Sequence, residues 1–275
     1  MLDRLTNIFF FFSLIFLFLL VADAQDHLRI VIAIALSILC AYTAFFVNWL
    51  TLDGMIAAIL FGIIAFGLAG LTGAVIALVF FVSSSLLSKD MISEEYILDE
   101  KFRRNGTQVW SNGFWFAFWI MIWFLSKEKI FLVAGIASMA SATADTWASE
   151  IGTHHTKGKT WLISTFEKVK PGTDGAISVS GTIASLLGSL IVALIFWLID
   201  GEVSLFTSAV IVLAGFIGSL IDSWIGATWQ GAEIKEWLTK IFAKRISYVD
   251  NNMVNWLASG SASVVALFAV LIFGQ

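Results

Sequence analysis

Cysteine and proline are almost absent from this chain: Cys40 and Pro171 are the only ones in 275 residues. A single cysteine excludes an internal disulfide framework and a cysteine-based metal cluster. Its place within an apolar run reads as a small buried hydrophobe. Charge is scarce as well, at 13% of residues, well below the soluble average, and the net charge of −4 gives no basic signal for nucleic acid. Also missing are a G-x-x-x-x-G-K-[ST] phosphate loop, an H-E-x-x-H zinc motif and a G-x-S-x-G nucleophile elbow. His154 and His155 adjoin, which puts them on different faces of regular structure, and they read as solvated rather than catalytic.

What the chain has instead is apolar length. Hydrophobic residues make up 59% of it and mean hydropathy is +0.91, so the expected fold class is an all-α polytopic membrane protein, one integral membrane domain over residues 1–275. Runs long enough to span a bilayer lie near 5–22, 29–49, 53–70, 72–88, 111–126, 129–146, 176–199, 203–227 and 252–273, which predicts nine helices. Three connections are long, 89–110, 147–175 and 228–251, and they hold 12 of the 16 lysines and arginines. The opposite side keeps Arg29, Lys127 and Lys129, with Asp200 and Glu202 in its tightest turn. The positive-inside rule then expects a cytoplasmic N-terminus, three cytoplasmic loops and an external C-terminus. The absence of a transit-peptide pattern leans toward a prokaryotic cytoplasmic membrane.

The first run, Ile8 to Val21, precedes Ala22-Asp-Ala24, which has the small-x-small form of a signal-peptidase site. Asp3 offsets Arg4 and weakens the charged region a signal needs, so an uncleaved span is expected. Residues 72–126, 129–199 and 203–273 share one plan, in which an apolar helix enters a charged loop and a helix rich in small residues returns. That is the order of parallel hairpin repeats, although any protein of helical hairpins would look similar.

Asp145 and Asp222 sit at the inner ends of two such helices, in Ala142-Thr-Ala-Asp-Thr-Trp-Ala-Ser-Glu-Ile-Gly152 and Gly218-Ser-Leu-Ile-Asp-Ser-Trp-Ile-Gly-Ala-Thr-Trp-Gln230. Acidic groups at membrane depth are costly, so their retention marks function by default. Helical spacing puts Ser141, Asp145 and Ser149 on one stripe and surrounds Asp222 with Gly215, Gly218, Ser219 and Gly226. Small residues allow close helix approach, so the two aspartates can face one another. The plainer alternative is a pair of helix-end groups reaching headgroup water.

Three further polar segments adjoin the same side. Lys168-Val-Lys170-Pro-Gly172-Thr173-Asp174-Gly175, leading into Ser178 and Ser180, can present backbone N–H groups to an anion at a helix start, with two lysines upstream. Alternatively it is a rigid turn with a helix cap. Arg103 and Arg104 precede Asn105, Gln108 and Asn112, which share a helix face, and Asp250 precedes Asn251, Asn252 and Asn255. Amides of this kind bind ligands, cap helices or bond across helices. Carboxylates, amides and cations gathered on one face suit Mg²⁺ and phosphate.

These segments also carry a resemblance. Ser83-Ser-Ser-Leu-Leu-Ser-Lys89, Arg104-Asn-Gly-Thr-Gln-Val-Trp-Ser-Asn-Gly113, Ala144-Asp-Thr-Trp-Ala-Ser-Glu-Ile-Gly152, Pro171-Gly-Thr-Asp-Gly-Ala-Ile-Ser-Val-Ser-Gly-Thr182, the Gly218 to Gln230 segment and Asn251-Asn-Met-Val-Asn255 occur in this order. Over residues 30–273 the chain resembles the integral-membrane family that includes plant phytyl-phosphate kinase and transmembrane protein 19 of animals. The resemblance implies CTP-dependent phosphorylation of an isoprenyl monophosphate to its diphosphate at the cytoplasmic membrane face. Asp145 and Asp222 are then expected to hold Mg²⁺ with Glu150 or Asp174 as further ligands, directly or through water, Asp145, Glu150 and Asp222 forming the catalytic set. Phosphates are expected on Arg103, Arg104, Lys168, Lys170, Gly172, Thr173 and Gly175, and substrate or nucleotide on Asn105, Gln108, Asn112, Asn251, Asn252 and Asn255. Transfer of a cytidylyl group instead, or a lipid or small-molecule carrier, would use similar features. A carrier should also show ionisable groups near the midplane and outside, where this chain has few.

Overall fold

The computed structural model describes residues 2–89, 103–155, 159–232 and 248–274. Parts of all three positively charged loops lie outside them. Nine α-helices run through the described residues: α1 Leu2–Leu20, α2 Ala24–Phe46, α3 Leu52–Gly62, α4 Gly70–Lys89, α5 Gly106–Ser126, α6 Lys129–His155, α7 Val179–Asp200, α8 Leu205–Thr228 and α9 Asn251–Phe273. All but α3 are long and apolar enough to cross a membrane. The protein is an integral membrane protein built of helices.

Helix starts follow from local chemistry. Asp23, Thr51, Asn105, Ser178, Ser204 and Asp250 each accept a backbone N–H at the head of α2, α3, α5, α7, α8 and α9, satisfying donors that a helix start leaves open. Asn105 moves the start of α5 from the expected 111 to 106, because its carboxamide and that of Gln108 form a reciprocal capping box. Left-handed residues, Lys127 and Gly201, end α5 and α7.

Two spans depart from expectation. The run read as 53–70 is 11 residues of α-helix followed by a 6-residue π segment, Ile63–Leu68. Arg29 on α2 donates through Nε to the Gly67 carbonyl at 2.8 Å, satisfying a backbone group near the end of the widened turn. The run read as 129–146 continues to His155, which places Asp145 within a helix instead of at its end. Cys40, expected inside, is exposed on α2.

The axis of the bundle is α6, with 72% of its apolar window buried against 22% for α1 and α2. Helices α4, α5, α7, α8 and α9 pack around it, while α2 covers α3 and the π segment. Glycine makes the tightest of these contacts possible. A Cβ on Gly188 of α7 would stand 3.0 Å from Ala144 Cα, and one on Gly218 of α8 would stand 2.2 Å from Ser141 Oγ. Lipid tails offer no hydrophobic drive between helices, so close packing of small residues holds this centre together. Aromatic side chains tie α1 to this core: the buried Phe10 of α1 stacks on Trp110 of α5 with centroids 4.5 Å apart, and Trp110 Nε1 donates to Asn7 at 2.7 Å.

The connection from α6 to α7 carries a small antiparallel pair, β1 Trp161–Leu162 and β2 Ala176–Ile177, in register Trp161 to Ile177. Ile163 N–H donates to the Gly175 carbonyl at 3.1 Å. This hairpin folds the Pro171 to Gly175 turn back over the end of α8.

Candidate functional site

Where α6, α7 and α8 meet the turn, the packing opens into a cavity of about 250 Å³. Its walls bring together Asp145 and Ser149 of α6, the α7 cap Ser178, Thr182 and Ser185 of α7, Ser219, Asp222 and Ser223 of α8, Gly172 to Gly175 of the turn, and Asn251 of α9. The carboxyl groups of Asp145 and Asp222 adjoin within hydrogen-bonding range, and Asp174 lies within electrostatic reach of Asp222. Asn255, with its amide oriented to satisfy both partners, donates through Nδ2 to Asp222 Oδ2 at 3.0 Å and to the Asn251 carbonyl at 3.2 Å. The two aspartates are thus held by packing and one amide.

The turn meets the cavity with specific backbone geometry. Gly172 and Gly175 have φ of 82° and 73°, the left-handed region in which glycine carries no penalty. Their surroundings differ sharply. A Cβ at Gly172 would meet only Thr153 at 3.8 Å, whereas one at Gly175 would lie 2.4 to 2.5 Å from Ala227 and from the Ser223 carbonyl. Gly175 is therefore the packing joint against α8, and Gly172 faces open space at the mouth. The start of α7 is partly committed to itself: Ser178 Oγ takes the Gly181 N–H at 3.1 Å.

Several expected contacts are absent from the cavity. Asn105 and Gln108 spend their carboxamides on the α5 capping box, each bond 3.0 Å, and Asn112 donates to the Gln108 carbonyl at 3.0 Å. Asn252 donates to the α9 cap Asp250 at 3.3 Å. Lys168 and Lys170 are exposed and do not line the cavity. Of the two further ligands expected, Asp174 lines the cavity and Glu150 does not, and among the described residues no three His, Cys, Asp or Glu side chains are grouped to hold a metal. Glu150 is drawn to the far side of α6, where Ser88 Oγ donates to it at 2.5 Å.

That far side is a second polar cluster. Arg104 Nη1 reaches Ser85 Oγ at 3.4 Å, its guanidinium stands 6.0 Å from the Phe80 ring, and Trp147 Nε1 donates to Ser83 at 3.0 Å. Burial lowers Arg104 to about 10 and the neighbouring Glu150 charge works against that shift, so it remains a cation at neutral pH. Arg104 and Glu150 thereby fasten α4 and the head of α5 to α6. Arg103 precedes this cluster, half-buried and outside the cavity lining.

Sequence reasoning passed over Ser185, Ser223, Thr153 and Gln230, all of which line the cavity. The signal for Ser185 was present. Ser178, Gly181, Ser185, Gly188 and Ser189 recur at helical spacing along α7 and mark the face turned to α6.

Neither aspartate has a salt-bridge partner among the described residues, and the pair could hold a metal ion. Mg²⁺ keeps several waters and is commonly held by one or two carboxylates plus substrate phosphates. Two aspartates in a hydroxyl-lined cavity match that donor set.

Residues 35–263 match the family described as integral membrane protein DUF92. Protein PGR of Arabidopsis thaliana is 29% identical over 273 residues, covering 86% of this chain and 94% of the relative. Protein VTE6, chloroplastic, of the same plant is 28% identical over 260 residues, covering 90% and 73%. An uncharacterized membrane protein of Methanocaldococcus jannaschii is 31% identical over 180 residues, covering 65% and 74%. No solved structure matches the chain.

Proposed function

The chain belongs to the integral membrane protein family DUF92, and from that membership and the cavity we propose that it is a CTP-dependent, Mg²⁺-dependent isoprenyl-phosphate kinase working at the cytoplasmic face. The resemblance to plant phytyl-phosphate kinase supports the reaction class. The adjoining carboxylates of Asp145 and Asp222 carry the reading, because two acids of one sign side by side in a polar cavity make a place that a bound divalent cation would stabilise. Asp145 and Asp222 would hold Mg²⁺, which when bound supplies charge neutralisation to the nucleotide phosphates.

Phosphoryl transfer asks mainly for positioning and electrostatic support. The Thr173 N–H is already donated to the Lys170 carbonyl at 3.2 Å, so the Gly172 and Asp174 N–H groups of the turn would meet phosphate at the mouth, and Asn255 fixes Asp222. An oxygen of the acceptor phosphate forms a bond to the γ-phosphorus as the bond to the β,γ-bridging oxygen breaks, leaving CDP and a prenyl diphosphate. An acceptor that is already anionic needs no general base.

The test is to incubate purified protein with CTP labelled in the γ-phosphate or in the cytidine, Mg²⁺ and a panel of prenyl monophosphates. Label from the γ-position should enter the lipid product. Cytidine label in the lipid would mean nucleotidyl transfer, and no Mg²⁺-dependent product from either label would favour a carrier.

A further inference from the structure

Ser185 is 2% exposed, lines the cavity and has no hydrogen-bond partner for its Oγ among the described residues. A buried hydroxyl left unbonded costs about 1–3 kcal/mol, so a native structure that keeps one facing a polar cavity points to a ligand atom there. Its height is set by the glycines on either side. Gly181 packs on Ala148 and Gly152, and Gly188 packs on Ala144, so Ser185, between them on the same face, stands level with Asp145. It lies seven residues along α7 from the Ser178 cap, deeper in the bundle than the turn through which a soluble nucleotide would enter.

We propose that Ser185 Oγ binds the phosphate of the membrane-tethered acceptor, rather than the nucleotide. This rests on the kinase reading above. In-line transfer places donor and acceptor oxygens on opposite sides of the moving phosphorus. A nucleotide arriving at the Gly172 mouth occupies the outer side, and a phosphate whose isoprenoid tail stays among the helices occupies the inner one. The hydroxyl donates to a non-bridging oxygen of that phosphate, beside the carboxylates that would hold the metal.

Two measurements test this. Ser185→Ala should raise KM for phytyl monophosphate about tenfold, the usual scale for losing a hydrogen bond to a charged group, and leave KM for CTP within twofold. In a Cys40→Ser background, Ser185→Cys should react with a small methanethiosulfonate in detergent, and phytyl monophosphate should slow that reaction where CTP does not. An equal rise in both KM values, a rise for CTP alone, or no change overturns the assignment, as does protection by CTP alone. Wild-type protein that transfers nothing and binds neither compound overturns the kinase reading itself, an outcome separate from a failure of Ser185.

Discussion

At the scale of single residues, the site separates groups that hold charge from groups that hold shape. Asp145→Asn and Asp222→Asn keep volume and remove the charge on which a metal depends. Supporting residues around metals already cost 10- to 100-fold when lost, so removing a ligand itself should lower turnover by roughly a hundredfold or more. Retained melting behaviour in detergent, with lost Mg²⁺-dependent turnover, is the expected result. Turnover within a fewfold of wild type in both variants would take the aspartates out of the metal site. The two turn glycines divide in the same manner. Gly175→Ala drives a Cβ into α8 and should lower thermal stability clearly. Gly172→Ala meets little and pays chiefly backbone strain of about 1–2 kcal/mol, so its larger effect should be weaker CTP-induced thermal stabilisation, read by mass action. Equal destabilisation of the two with CTP binding intact would show that the turn has no phosphate role.

At the scale of elements, the fold shows which polar residues a linear reading can and cannot assign. Nine helices were legible because long apolar runs leave few alternatives in lipid, and the Asp145 and Asp222 pair was legible because ionisable groups are rare there. Glu150 was not. It lies five residues beyond Asp145 on one helix, and a full five-residue step turns a side chain well away from its starting face, so it meets Ser88 and Arg104 instead. Asn105, Gln108 and Asn112 illustrate the other ambiguity, since an amide that caps a helix and one that binds a ligand look alike in sequence. Asn105→Ala should cost about 1 kcal/mol of stability, the usual worth of an N-cap, and leave KM for CTP and phytyl monophosphate within twofold. A tenfold rise in either KM would return Asn105 to the binding surface. Ser185 escaped notice because serine in a membrane helix also serves close packing, and only its missing partner together with its place on the cavity wall distinguishes the two roles.

At the scale of the whole molecule, every group of the proposed reaction lies at the end of the bundle that carries the charged loops. The opposite end holds the Lys129, Asp200 and Glu202 ion cluster. There Lys129 holds the exposed Glu202 carboxyl below its ordinary range, consistent with an ion pair in water. A kinase drawing on a soluble nucleotide needs its cavity open to one side, and by the lysine and arginine asymmetry we propose that this side is the cytoplasm. Lys159, exposed beside β1, and Glu202, 78% exposed at the far end, report the two faces. In a Cys40→Ser background, a membrane-impermeant maleimide added to intact cells should label Glu202→Cys and spare Lys159→Cys. Permeabilising the cells should then make both react, which confirms that Lys159→Cys is accessible and only shielded by the membrane. Labelling of Lys159→Cys in intact cells, with Glu202→Cys silent until permeabilisation, would invert the protein. The cavity would then face away from the nucleotide pool, and a kinase using cytoplasmic CTP would be ruled out, whatever chemistry the two aspartates perform.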